Sequence, residues 1–306
     1  MALPFLKPKE YDKLDEIPTG DIKNKYIDAC IVIEGGAFRG VHTSGVLDCL
    51  MLNNINCKCV IGVSAGSLNG LNYAAGQIGR SARINLKYRN NKNYVGLRTI
   101  WKNKGVIGFN FIFGDMEGIE TLNLKKLYER RFVCVTTNLE EAKPVYFDKN
   151  NINNIFDSVR ASSTLPYVSL PVEIEGKHYL DGGCTDRIPY EWAINEGYEK
   201  IIVVRTRDKN FRANENVERK YSLSKRLYAK YPEFVVKLSE TDKLYNEQIE
   251  KLIKLEEERR VFVIYPSEPI DIPMLEKNVD TLGELYKRGY EDCQNILEAL
   301  KIYLNS

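Results

Sequence analysis

The chain has 306 residues, 43% hydrophobic and 28% charged, which is enough apolar material to bury a core and excludes a disordered protein. Its 44 basic and 42 acidic side chains leave a formal net charge of +2, arguing against a protein whose main task is binding nucleic-acid backbone. No run approaches the roughly 18 apolar residues of a membrane-spanning helix, and the opening "MALPFLKPKEYDKLDEIP" lacks the apolar stretch of a secretory signal.

Residues 1–26 are rich in Pro and Lys and read as an N-terminal extension lying loosely on the surface. A strand is expected at 29–34 and a helix at 41–52, then a strand at 58–64, a small-residue helix at 65–76 and a helix at 79–90. Strands follow at 131–136, 144–147, 172–180 and 200–205, with helices at 152–161 and 189–196 between them. The charged segment after 205 reads as helices at 222–230, 240–259 and 280–302, with one strand at 261–265. Asn-rich stretches at 90–93 and 150–154 mark turns. Short apolar strands alternating with helices indicate a mostly parallel sheet covered on both faces, an α/β chain of three layers. The expected organisation is the extension at 1–26, a core at 27–205, and a charged helical portion at 206–306 whose strand rejoins the same domain. Seven cysteines, with no paired C-x-x-C units and no flanking histidine, read as buried reduced thiols of a cytoplasmic protein rather than a metal site.

Two turns stand out. The first, "EGGAFRG", places Gly35, Gly36, Ala37, Arg39 and Gly40 between a strand and a helix, where unhindered amides and a helix start form an anion site. Its glycine spacing fits neither the dinucleotide fingerprint nor the P-loop. The second, Gly62-Val63-Ser64-Ala65-Gly66, is a G-x-S-x-G that follows a strand and opens a helix. A chain of this length carries such a pentapeptide by chance about one time in ten, so the context gives it weight. One strand–helix–strand crossover separates the two turns, which brings both to the C-terminal edge of the sheet, where α/β ligand sites form.

The chain has only two histidines, His42 and His178, and neither sits where a Ser-His-Asp triad of the α/β-hydrolase order needs one. His42 reads as an ordinary helix residue and His178 as a strand side chain. The better base is Asp181 in "YLDGG", at a strand end, where partial burial raises a carboxyl pKa and makes it a more effective proton acceptor. Ser64 and Asp181 are therefore the candidate dyad.

In this order "GGAFRG", "GVSAG" and "DGG" resemble the motifs of the patatin-like phospholipases, in particular their bacterial members, as do the stretches "ASSTLPYVSLPV" and "YLDGGCTDRIP". Farther along, "YNEQIEKL", "VFVIYPSEP" and "LYKRGYED" resemble that group too, so the likeness covers nearly the whole chain. The resemblance implies a patatin-like α/β/α fold with C-terminal helical elaboration, and a serine acyl hydrolase of (phospho)lipid esters. It implies Ser64 as nucleophile, Asp181 as base, and an oxyanion hole at the amides of Gly35, Gly36 and Ala37. Arg39 falls at the motif's basic position and Gly40 closes it, while Gly62 and Gly66 flank the nucleophile. The implied partner is a lipid ester, with peripheral contact at the inner membrane surface, no nucleic acid, and no cofactor or metal. The alternatives are a catalytically silent relative, or a scaffold holding a phosphate-bearing ligand on the Gly-rich turn. One departure is Ala37, which stands where the family motif has its third glycine, and alanine adopts positive φ only at a cost.

Three further stretches bear on substrate. "GVIGFNFIF" at 105–113 puts Ile107, Phe109, Phe111 and Phe113 on one face by alternation, as a buried strand or loop; the functional reading is a wall of an acyl pocket. "RKYSLSKRLYAKY" at 219–231 reads as a solvated helix face, with docking to an anionic membrane as the functional alternative. Arg205 and Arg207, just past a strand end, are candidates to meet a lipid phosphate.

Overall fold

The computed structural model describes residues 8–306 apart from 24, 97, 100–104 and 117. Residues 1–7 and 24 of the expected N-terminal extension thus lie outside the described residues. What is described of that extension is pinned rather than loose: Tyr11 and Ile17 are buried, and Gly20–Asp21 pairs antiparallel with Gln77–Ile78.

The sheet has eight strands: β1 (Ile27–Ile33), β2 (Cys57–Val63), β3 (Arg131–Asn138), β4 (Lys143–Phe147), β5 (Val172–Ile174), β6 (Lys177–Asp181), β7 (Ile201–Val204) and β8 (Phe262–Ile264). Their order is β8-β7-β1-β2-β3-β6-β5, with β4 also paired to β3. Neighbours from β8 to β3 are parallel, and β3 meets β4 and β6 antiparallel. Among the described residues the helices are α1 (Gly40–Leu52), α2 (Ala65–Ala74), α3 (Arg80–Tyr88), α4 (Leu124–Glu129), α5 (Ile155–Ser162), α6 (Tyr190–Asn195), α7 (Val217–Leu227), α8 (Pro232–Ser239), α9 (Thr241–Glu257) and α10 (Val279–Asn305).

Strand β1 shows why both faces are covered. Ala29, Ile31 and Ile33 point into a core completed by Leu50 of α1, Leu71 of α2 and Leu300 of α10. Cys30 and Val32 point the other way, toward Ala193 of α6 and Ile249 and Leu252 of α9. Each fully buried side chain of this size contributes about 1.5–3 kcal/mol. All seven cysteines are buried and unpaired. The three-layer α/β/α arrangement, with helices continuing through the C-terminal portion, agrees with the expected fold class.

The expected single strand at 172–180 is instead a hairpin. Glu175 (φ 50°) and Gly176 (φ 79°) both take the left-handed conformation, so the chain reverses between Ile174 and Lys177. The alternation at 105–113 also misled. Phe111–Asp115 forms a single π-helical turn, burying Phe111 and Ile112 side by side. Aromatic packing onto Tyr88 and Tyr94 overrides the strand-like period there.

Sheet register sets up the site. Ile33 of β1 lies level with Gly62 of β2 and Val204 of β7, so Glu34-Gly35, Val63-Ser64 and Arg205-Thr206 leave the sheet side by side. Val63 is paired with Val135 of β3, and the next β3 residue, Thr136, is paired with Asp181 of β6. Strands β2 and β6 therefore meet end to end along one side of β3, with Ser64 at one tip and Asp181 at the other.

Candidate active site

Ser64 occupies the turn between β2 and α2 with φ 56° and ψ −126°, a conformation that lifts its side chain out of the sheet at the start of a helix. Its two flanking glycines are needed for close approach. A Cβ on Gly62 would fall 2.4 Å from the Gly66 carbonyl oxygen, and one on Gly66 would fall 2.3 Å from that of Ile33. Main-chain strain at Ser64 is held by neighbours. The Ser64 amide donates to Ser162 Oγ at 2.9 Å, and its carbonyl accepts from Ser67 Oγ at 2.6 Å and Ser163 Oγ at 3.0 Å.

Ser64 and Asp181 line the same cavity, and the Ser64 hydroxyl is near enough to draw the Asp181 pKa down. Asp181 is 5% exposed and Ser64 8%, so the pair is almost dry yet reachable. The carboxylate is anchored by the Gly183 amide, which donates to Asp181 Oδ1 at 2.8 Å. Burial pushes the Asp181 pKa up to about 6, against the smaller downward pull of the Ser64 hydroxyl, the Gly183 amide and the Arg187 charge. The same short segment that holds Ser64 also holds Asp181, whose amide donates to the Thr164 carbonyl at 3.0 Å. Ser162, Ser163 and Thr164, within the stretch "ASSTLPYVSLPV", thus tie both main chains together, a positioning role that the resemblance of that stretch did not assign.

The Gly-rich turn abuts the serine. A Cβ on Gly35 would lie 2.9 Å from the Ser64 Cβ, and one on Gly40 would lie 3.1 Å from Ala65 Cβ. Among the described residues, the amides of Gly35, Gly36 and Ala37 have no hydrogen-bond acceptor, whereas those of Phe38 and Arg39 donate to Met274 and Gly36. Ala37 takes φ 49°. The alanine accepts the left-handed conformation at a cost of about 1–2 kcal/mol rather than reshaping the turn. Beneath the turn lies an ion pair. Glu34 accepts from Arg205 Nε at 2.9 Å and the Thr206 amide at 2.6 Å, and from the Tyr245 hydroxyl, while Thr206 Oγ1 donates to the Gly35 carbonyl at 2.7 Å. Arg205 is fully buried in this network and is not available to a lipid phosphate, which corrects the expectation for it.

Neither histidine reaches the serine. His42 Nε2 meets Asp292 of α10 at 2.8 Å, and His178 Nδ1 meets Glu140 at 2.8 Å. Among the described residues, no group of three or more His, Cys, Asp or Glu side chains is placed to hold a metal ion, and no helix is long and apolar enough to cross a membrane.

Two cavities share Ser64, Ala37 and Leu165 as walls. The smaller, about 70 Å³, is lined chiefly by apolar groups including Val41, Leu68, Ile84, Ile107 and Ile112. Of the four aromatic-stretch residues expected on one face, only Ile107 lines it, while Phe109 and Phe111 pack behind. The larger, about 550 Å³, carries Arg39, Arg187, Arg207 and Lys220 in its walls. Lys220 is the one cation of the 219–231 stretch that turns inward, while Lys225 and Arg226 on α7 stay exposed.

The patatin-like phospholipase family model matches residues 31–194, and that of a domain of unknown function, DUF6363, matches residues 231–305. The uncharacterized protein YjjU of Escherichia coli is 26% identical over 267 residues, spanning 85% of this chain and 74% of that protein. Lysophospholipase nte1 of Aspergillus terreus is 29% identical over 193 residues, which is 57% of this chain but 12% of the fungal protein. A probable lipid hydrolase, 463L of Invertebrate iridescent virus 6, is 23% identical over 227 residues, or 66% of this chain and 78% of its own length. Among solved structures, VipD of Legionella pneumophila superimposes with a TM-score of 0.48 at 12% identity, over 92% of this chain and 70% of VipD.

Proposed function

Since this chain belongs to the patatin-like phospholipase family, we propose that it hydrolyses fatty-acyl esters of lipids through a dyad of Ser64 and Asp181. The observation that carries the reading is a buried carboxylate, lifted to a pKa of about 6, that shares a cavity wall with a serine on a strained turn and feels its hydroxyl.

At neutral pH Asp181 is mostly ionised, and it takes the hydroxyl proton as Ser64 Oγ attacks the ester carbonyl. Negative charge grows on the carbonyl oxygen and is met by the amides of Gly35, Gly36 and Ala37, a group of fixed donors in a water-poor site. Protonated Asp181 then gives its proton to the leaving alkoxide, and an acyl-serine remains. A water molecule, deprotonated by the same carboxylate, attacks the acyl carbon; Asp181 passes that proton to the leaving Ser64 Oγ, and the fatty acid is released. Apolar contact along the smaller cavity suits an acyl chain.

Ser64→Ala is expected to lower p-nitrophenyl ester turnover about 10⁴-fold or more, with the far-ultraviolet circular dichroism unchanged. Full turnover by the folded variant would refute the assignment. The scaffold alternative expects the opposite: ligand binding without labelling by fluorophosphonates.

A further inference from the structure

The larger cavity has an electrostatic imbalance that the hydrolytic chemistry does not use. Its cations are Arg39, Arg187, Arg207 and Lys220, and its carboxylates are Glu34, Asp181 and Asp242. Glu34 is already spent on Arg205, outside the cavity wall, and on Tyr245. Asp242 is spent on Arg187, at 3.1 Å, and on Lys220. Arg39 and Arg207 are left over, and among the described residues neither has a carboxylate within ion-pair distance.

The leftover pair is held in place without being neutralised. Arg207 lies over the Phe211 ring, 4.2 Å from its centroid, and donates weakly to the Ile270 carbonyl at 3.4 Å. Arg39 Nε is buried, and among the described residues it has no partner. Leaving a buried charged donor unpaired is costly, and two unneutralised guanidinium groups lining one cavity repel each other. After burial itself, the neighbouring Arg207 charge is the largest influence drawing the Arg39 pKa down. A doubly accepting anion between the two would relieve the unmet donor and the repulsion together, and planar guanidinium forks match phosphate oxygens.

We propose that Arg207, with Arg39, forms a phosphate subsite that makes anionic glycerophospholipids the preferred ester substrates of this site. The inference rests on the hydrolase reading above. A glycerophospholipid would set its ester carbonyl at Ser64, its acyl chain along the apolar cavity and its phosphate in the basic one, because the two cavities meet at that serine. A choline head would bring another cation beside Arg187 and Lys220 and is disfavoured; an acidic or uncharged polar head is not. Arg207, Lys220 and Asp242 all lie beyond residue 194, outside the stretch matched by the phospholipase family model. This wall of the site therefore belongs to the chain's own C-terminal portion.

Two measurements test it. The first is calorimetric titration of sn-glycerol 3-phosphate, and separately of inorganic phosphate, into the Ser64→Ala protein. The second compares kcat/KM for soluble dihexanoyl phosphatidylglycerol, dihexanoyl phosphatidylcholine and dihexanoylglycerol. Glycerol 3-phosphate should bind, and Arg207→Gln should weaken it about tenfold or more, with Arg207→Lys restoring part of the loss. The preference for phosphatidylglycerol over the other two should fall by a similar factor in Arg207→Gln. Equal kcat/KM for the three lipids, or glycerol 3-phosphate binding indifferent to Arg207, would overturn the proposal. Tight inorganic phosphate binding without lipid selectivity would also overturn it, in favour of a free-phosphate site. Absence of all ester turnover would sink the hydrolase reading instead, and the binding arm would still decide whether the subsite exists.

Discussion

Two buried acid pairs in this molecule invite comparison: Asp181 with Ser64 at the sheet edge, and Asp292 with His42 between α10 and α1. By residue type alone the histidine pair is closer to enzyme machinery, since aspartate with histidine makes two-thirds of a familiar triad. Its location says otherwise. His42 is fully buried in α1, its ring kept neutral by burial, and Asp292 also accepts from the Ser267 amide at 3.0 Å. The pair fastens the last helix where α1 and α10 run so close that a Cβ on Gly289 would fall 2.0 Å from the His42 carbonyl oxygen. The lone carboxylate at Asp181 instead opens onto a cavity. An acid's chemistry is thus decided by what it faces, and its stability role by what it fastens.

The comparison is broken most sharply by exchanging the two roles. Asp181→Asn should cost about 10²–10⁴-fold in kcat/KM, while its melting temperature holds or rises, because a carboxylate that resists ionisation has been removed. His42→Ala should do the reverse, losing about 3 kcal/mol in urea unfolding by opening a hole in α1 and leaving Asp292 with the Ser267 amide alone, with kcat retained by the folded fraction. Next in size, Glu34→Gln should destabilise by about 3–5 kcal/mol, since Arg205 is left as an uncompensated buried charge. It should also lower kcat, because the Gly-rich turn rests on that ion pair. Chemical denaturation alongside initial rates measures both.

A pH profile sharpens the contrast further. Asp181 is a base only when ionised and its pKa is raised to about 6, so kcat/KM should be level above that pH. Below it, the rate should fall about tenfold per unit. The sign for stability is opposite: a folded pKa above the unfolded one means that this group alone favours the fold as pH drops from 6 toward 4. Acid should therefore silence the site before it unfolds the protein. The smallest effect is expected from Ala37→Gly, which removes the cost of φ 49° at an alanine and should add up to about 1 kcal/mol of stability.

The strand–glycine–helix turns were legible because close packing there admits few residue types, as the contacts of Gly62 and Gly66 show. Asp181 stood out by its place at a strand end, before two glycines, and by the resemblance of "DGG" to the family's motif. Other roles left no local trace. The stretch "ASSTLPYVSLPV" stood out by resemblance, but nothing in it showed that Ser162 and Ser163 act on Ser64 across about a hundred residues of sequence. Glu34 reads as one acid beside a glycine pair until Arg205 and Tyr245 are folded against it. Tertiary packing also overruled periodicity at Phe111–Asp115, and a two-residue turn hid inside an apparently continuous strand at Glu175-Gly176.

The central claim is that a carboxylate, without a histidine, activates Ser64. Its most direct test is the rate of fluorophosphonate labelling, with the modified residue identified by peptide mass spectrometry. The account expects label on Ser64 at comparable rates in the unaltered protein and in a His42→Gln/His178→Gln double variant, and labelling at least about 10²-fold slower in Asp181→Asn. Undiminished labelling of Asp181→Asn, or none in a folded double-histidine variant, would contradict it.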